Sequence, residues 1–455
     1  MVLALDRVTH ETAFYNSLKS KKSTIESRYR ALTPKSGNLF IEAQKVFPGG
    51  FTRDAVLRKP YAPFIDRGQG THLVDVDGRE IVDFWFNATS LPFGHRHSCV
   101  VEAVEEQLSK GTAFFAPGVL EIEHAKLILE RLPSVDRLRF TNSGSEAVML
   151  ALRIARGATG RNLVAKFEGS YHGSYDDVSW SVGASADKMG SIDNPTPVAE
   201  SAGLPAALGR SIVLPFNDLL RATLLIERHA NDLAAVIVEP MANRMGLIMP
   251  DLTFAQGLRE LCTRYGILLI FDEVISFRLS YGGAQGVLGI TPDMTTLGKI
   301  IGGGFPVGAV VGRANVMATS DPFKSGRVTH AGTFNANPMT MAAGLATMRA
   351  LTPDVFEVMA VNGERVRAGL RKICNGLPLQ VSGAGSLFKM TALGRPINSY
   401  RDSVHADREW EEIASLELLN RGYLLTTQLQ GCVSAITEVA EIDGLLDAMR
   451  EIVLI

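Results

Sequence analysis

The sequence predicts an α/β protein built on a mainly parallel sheet, and three observations carry that prediction. Leu268-Leu269-Ile270-Phe271 is a short apolar run ending in Asp272-Glu273. That is the pattern of a central strand delivering an acid to the crevice at the carboxyl edge of a sheet. Leu138 to Thr141 reads as a second strand, and Ala147 to Arg156, rich in good helix formers, as the helix that follows it. The chain has 455 residues with a hydrophobic fraction of 46%, long for one domain and comfortable for two.

The elements follow in order. Residues before about Asn38 are polar, with Lys19, Lys21 and Lys22 close together, and read as an arm or short helices whose lysines form a solvated face. A helix is expected from near Leu39 to the break at Pro48-Gly49-Gly50. His72 to Phe86 alternates apolar and polar residues around Asp77-Gly78, which predicts a β-hairpin. Gly183 to Arg210 is rich in Gly, Ala, Ser and Pro with little periodicity, the composition of an active-site lid or a surface excursion. There is no internal repeat.

Between the strand at Leu138 and its helix lies Asn142-Ser143-Gly144-Ser145-Glu146. Ser143 and Glu146 have the spacing of a capping box. The same helix start offers free backbone N–H groups and positive dipole to a phosphate, with Gly144 permitting close approach and Ser143 and Ser145 adding hydroxyls. Downstream, Glu168-Gly169-Ser170-Tyr171-His172-Gly173 places an aromatic and an imidazole in a glycine-flanked turn, where Tyr171 can stack on a flat cofactor or pack on the core. The serine there is misplaced for a hydrolase nucleophile elbow. Lys299, in Leu297-Gly298-Lys299-Ile300-Ile301-Gly302-Gly303-Gly304, is framed by small and apolar residues. Desolvation there lowers the amine pKa and makes it nucleophilic. Asp272-Glu273 also fits a Walker B strand, but Asp293 stands where the first glycine of Walker A belongs and Ile300 follows the lysine. An acid at Asp272 and an amine at Lys299 are what pyridoxal phosphate chemistry needs.

The net charge of −2 gives no electrostatic case for nucleic acid or an anionic membrane. Cys99, Cys262, Cys374 and Cys432 are scattered without CxxC or His clustering, so neither a metal site nor a disulfide framework is expected. No signal-peptide pattern or membrane-length apolar run is present, and a cytoplasmic enzyme is the simplest expectation.

With these segments, Val238-Glu239-Pro240 and Asp293-Met294-Thr295-Thr296 added, the chain resembles the class III aminotransferases of the pyridoxal-phosphate fold-type I superfamily from about Phe40 onward. It is most similar to the branch holding glutamate-1-semialdehyde 2,1-aminomutase and the β-phenylalanine and D-phenylglycine aminotransferases. The resemblance implies a three-layer large domain with a mainly parallel sheet, at residues 91–345. It also implies a smaller α+β domain from both chain ends, residues 39–90 and 346–455, after an arm at 1–38. By the same resemblance Lys299 carries the cofactor covalently and shuttles the proton, and Asp272 pairs with the ring nitrogen. Gly144 and Ser145, with Ser143, hold the phosphate, while Tyr171 and Val274 flank the ring and His172 belongs to the same site. Thr333, in the loop Thr329 to Pro338, reaches the cofactor of a neighbouring subunit, which implies a homodimer with shared active sites.

Arg53 matches the position where β- and D-amino-acid aminotransferases of this branch carry a carboxylate-binding arginine, and Arg244 stands where the aminomutases usually have asparagine. Near the C-terminus, Leu429-Gln430-Gly431-Cys432-Val433 replaces a glutamate-bearing segment of the aminomutases. The expectation is an aminotransferase moving an amino group from an amino acid, β- and D-amino acids among the candidates, or from an amine to a keto acid in two half-reactions. The alternative is the intramolecular aminomutase.

Overall fold

A computed structural model describes residues 2–204 and 211–455. Its centre is a seven-stranded sheet in the order Arg137–Thr141, Gly308–Gly312, Met294–Gly298, Leu268–Asp272, Leu233–Val238, Leu163–Phe167, Ser211–Leu214. Gly308–Gly312 is antiparallel to both its neighbours, and the other pairings are parallel. Leu233–Val238 is buried at every residue, the mark of a strand covered on both faces. The helix Gly144–Thr159 covers one face, setting Leu150, Ala151 and Ile154 against Ile237, Ile270 and Val310. Leu219–Arg228 and Leu252–Tyr265 cover the other, around Phe167, Phe216 and Phe254.

A four-stranded sheet combines Ile65–Gln69, His72–Asp75 and Glu80–Asp83 with Tyr423–Leu424, so both chain ends build the smaller α+β unit. The expected hairpin is present, with Leu73 opposite Ile81 and Gly78 at φ 87° in the turn. Trp410, Phe388, Leu416 and Leu445 form its core beneath the helices Pro353–Ile373, Arg408–Asn420 and Val439–Val453. The arm consists of helices Val2–Lys19 and Lys22–Leu32. Its lysines are not simply solvated: Lys19 meets Asp407 at 2.5 Å and Lys22 meets Glu409 at 2.8 Å, pinning the arm to Arg408–Asn420. The helix expected from Leu39 starts earlier, at Pro34, which occupies the first helical position where a missing N–H is harmless.

The stretch from Gly183 runs mostly exposed as far as residue 204 and is anchored at a few points. Ala184 and Met189 are buried in the core, and Arg401 holds the carbonyls of Met189 and Gly190. Its remainder, 205–210, lies outside the described residues. None of the described helices is long and apolar enough to cross a membrane.

Candidate active site

Five segments that leave the carboxyl ends of parallel strands meet at one edge of the large sheet, carrying Asn142–Ser145, Tyr171–Gly173, Glu239, Asp272 and Lys299. Open α/β sheets bind ligands at that edge. Between these segments lies a cavity of about 170 Å³ lined by Gly144, Ser145, Tyr171, His172, Asp272, Val274 and Lys299 among others.

Asp272 is buried and held from two sides. Its Oδ1 accepts from Thr296 Oγ1 at 3.0 Å and from the Val274 N–H at 3.2 Å, while Oδ2 lies 2.7 Å from His172 Nδ1. With the carboxylate accepting, Nδ1 carries the imidazole proton. Burial lowers the His172 pKa against the raising effect of Asp272, and its buried Nε2 has no partner among the described residues. The neighbouring Glu273 faces elsewhere: it accepts from Ala284 N–H, Gln285 N–H and Ser276 Oγ. That structural role removes the second acid a Walker B reading would use.

Lys299 follows the strand Met294–Gly298 at once and takes φ 49°, a left-handed backbone that a lysine rarely adopts. Burial lowers its amine pKa, opposed by Asp272 and Glu239. The helix Gly144–Thr159 is capped by Ser143, whose Oγ accepts the Glu146 N–H at 3.2 Å, leaving the first-turn amides at Gly144 and Ser145 open to the cavity. The cradle exists only because two positions are glycine. A Cβ on Gly144 would stand 2.9 Å from both Val274 methyls, and one on Gly173 would stand 2.3 Å from Ser145 Oγ.

These residues fit pyridoxal phosphate: an amine for covalent attachment, a fixed carboxylate for the ring nitrogen, and open amides with a hydroxyl for the phosphate. Bound there, the cofactor supplies an electron sink for the carbon bearing the amino group. With the cofactor bound, Asp272 would face the ring nitrogen, Lys299 would offer a buried amine, and Tyr171 and Val274, which line the cavity, would flank the ring.

Not every expected residue enters this cavity. The Ser143 hydroxyl is spent on the helix cap. Thr333 is exposed on the loop before Pro338–Ala350 and does not line it. Arg53 lines a separate cavity of about 540 Å³ whose walls include Val56, Leu57, Trp85, Leu91, Leu424 and Leu425. Gly304, from the segment that carries Lys299, lines it too. Arg244 lies with its guanidinium carbon 4.4 Å from the Tyr171 ring centroid and pairs with Glu200 at 3.2 Å, lining neither cavity.

Sequence reasoning assigned no role to Lys166 or Glu239. Lys166 is fully buried and donates to the carbonyls of Ser170 at 2.8 Å and Trp180 at 2.5 Å. Glu239 accepts the Tyr171 N–H at 3.1 Å. Burial pushes the lysine down to about 7 and the glutamate up to about 8, the latter helped by Asp272. Together they hold the carbonyl and the N–H of a single peptide group, Ser170–Tyr171, in the turn that presents Tyr171. The available signal was a lysine inside an otherwise apolar strand, Leu163–Phe167.

The Aminotransferase class-III family profile matches residues 55–407. Glutamate-1-semialdehyde 2,1-aminomutase 2 of Listeria monocytogenes is 40% identical over 424 residues, 91% of this chain and 96% of that protein. The Bacillus subtilis glutamate-1-semialdehyde 2,1-aminomutase is 39% identical, covering 87% and 92%. Among solved structures, an omega-transaminase from Sphaerobacter thermophilus superposes with a TM-score of 0.90 at 46% identity, covering 92% and 97%. A β-phenylalanine aminotransferase from Variovorax paradoxus gives 0.87 at 35%, covering 95% and 97%. With Asp272, Lys299 and the open helix start in place, the chain belongs to the class III aminotransferases, pyridoxal-phosphate enzymes of fold type I.

Proposed function

We propose that this enzyme transfers the amino group of amino acids with bulky apolar side chains, β-amino acids among them, to a keto acid in two half-reactions. One observation carries this reading: Arg53 shares a cavity with the apolar walls Val56, Leu57, Trp85, Leu424 and Leu425. A guanidinium fork grips a carboxylate in two places, and the surrounding apolar surface suits an aryl or alkyl side chain. Lys299 serves as covalent anchor and base, Asp272 as the ring-nitrogen partner, and Gly144 and Ser145 as the phosphate cradle.

The names of the curated relatives favour a second reading, intramolecular transfer on glutamate 1-semialdehyde. Arg244, and Gln430 in the segment where the aminomutases carry a glutamate, weigh against it. An amino-donor screen separates the two. The proposal expects loss of the cofactor's visible absorbance with 3-amino-3-phenylpropanoate and its recovery on adding a keto acid. Isomerisation of glutamate 1-semialdehyde without an external acceptor, and no response to β-amino acids, would install the aminomutase instead.

We further propose a homodimer in the cytoplasm. Phe115, Phe323 and Phe334 are exposed, the last beside Thr333. Large exposed aromatics close to a loop expected to complete a site support burial against a second copy. Sedimentation at micromolar concentration tests it, and a monomer with full activity refutes it.

A further inference from the structure

Phe86, Asn87, Ala88 and Thr89 have φ of 46°, 48°, 55° and 73° in succession, with ψ of 60° at Asn87 and 48° at Ala88. The Thr89 N–H donates to the Trp85 carbonyl at 2.8 Å and the Ser90 N–H to the Phe86 carbonyl at 3.0 Å, closing a left-handed helical turn without a glycine. L-residues avoid such runs because Cβ crowds the following carbonyl oxygen, and a β-branched threonine is worst placed there. Thr89 is also fully buried, and its hydroxyl has no partner among the described residues. Strain of this kind persists only where the surroundings enforce it.

The turn is a partition. Trp85, Asn87 and Ala88 line the Arg53 cavity, whereas Phe86 is buried in a cluster with Met241, which lines the cavity of Lys299. Its start is fixed by Asp83, whose Oδ1 accepts the N–H groups of Trp85 at 2.7 Å and Phe86 at 2.9 Å. Its end is fixed by Arg278, which donates from Nη1 to the Thr89 carbonyl at 2.7 Å. The same guanidinium donates to Ser386 Oγ and the Val433 carbonyl, both at 2.8 Å. Arg278 is buried, and these acceptors include no carboxylate. A buried cation satisfied by neutral groups alone is costly to keep. Ser276, in the same short helix, lines the Lys299 cavity, so one side chain ties that segment to the partition.

We propose that Arg278 is a positioning residue for the amino substrate: it holds the turn Phe86–Thr89 left-handed, and the turn in that form sets which side chains the Arg53 cavity accepts. Relaxed to right-handed backbone, the turn would carry Asn87 and Ala88 away from the wall they now form. The choice of probe below rests on the function proposed above, but the strain does not.

The test uses holoenzyme carrying Arg278→Lys, Thr89→Gly, Thr89→Ala and the Arg278→Lys/Thr89→Gly pair, assayed with 3-amino-3-phenylpropanoate and 3-aminobutanoate. Lysine keeps the charge but loses the fork. It should raise KM for the aryl substrate at least tenfold relative to the small one, with cofactor absorbance retained. Glycine adopts left-handed backbone freely, so the pair should recover KM to within about threefold of Thr89→Gly. In melting, Thr89→Gly should exceed Thr89→Ala, although glycine ordinarily destabilises. A paired variant as impaired as Arg278→Lys, equal KM losses on both substrates, or glycine melting at or below alanine overturns the proposal. If Arg278→Lys does not fold, the glycine–alanine comparison decides. If neither β-amino acid is a donor, the function reading fails, and melting of wild type, both single variants and the pair still reads the coupling.

Discussion

Replacing Asp272 by asparagine tests the arrangement most directly. The carboxamide oxygen stays toward Thr296 Oγ1 and the Val274 N–H, because that side offers two donors. The new NH₂ then faces His172 Nδ1, where the carboxylate now accepts a bond of 2.7 Å. Two N–H groups would oppose each other unless the imidazole moves its proton to Nε2. The change therefore removes one charge-assisted hydrogen bond and the negative charge beside the cofactor ring. A lost charge-assisted bond is worth about 1.5–3 kcal/mol, which at 1.36 kcal/mol per decade is a loss of roughly ten- to 150-fold in kcat/KM. Removal of the ring charge adds to that figure. The assay compares kcat/KM at saturating cofactor, reads cofactor content by absorbance, and follows the His172 tautomer by nitrogen NMR. Cofactor should stay bound while the rate falls and the tautomer switches. A rate within about threefold of wild type, or loss of cofactor with the residual rate intact, would show that Asp272 does not face the reacting ring.

Lys299→Ala should abolish turnover, and borohydride reduction of the wild type should fix the cofactor to Lys299 alone, as peptide mapping will show. Ser145→Ala should weaken cofactor retention more than the chemical step, measured as the cofactor dissociation constant against kcat. Arg53→Lys should lower kcat/KM for 3-amino-3-phenylpropanoate roughly ten- to a hundredfold while sparing its decarboxylated amine; equal losses on both would make Arg53 structural. Glu239→Gln carries a pH signature. Folded Glu239 holds its proton up to about 8 because burial disfavours the carboxylate, with Asp272 adding to the effect. The unfolded chain releases that proton near the ordinary carboxylate value of about 4.3. Between pH 5 and 7 the folded state binds more protons, so wild-type stability falls with rising pH through this group. The melting temperature of the variant minus that of wild type should therefore climb from pH 5 to 7, and a flat difference would contradict the buried-acid reading.

The strand-tip acid and the glycine-framed lysine were legible because each depends on its own segment: four apolar residues before Asp272, and Gly298 and Gly302 around Lys299. The helix start at Ser143 was legible for the same reason, although its hydroxyl serves the cap. Partnership across the fold was not legible. Lys166 reads as an interruption of an apolar strand until Ser170, Trp180 and Glu239 are seen around it. The turn at Phe86–Thr89 has no glycine to announce it, since its geometry is imposed by Asp83 and Arg278 from outside. The early start at Pro34 had a local signal in the proline itself.

The left-handed backbone at Lys299 bears on how this protein can be evolved. Asparagine occupies that region several-fold more readily than lysine and has no amine to desolvate. Exchange at this codon thus removes two local penalties along with the proposed covalent anchor. A library passed through a heat challenge alone would enrich inactive proteins at position 299, and directed stabilisation of this scaffold needs a turnover screen in every round.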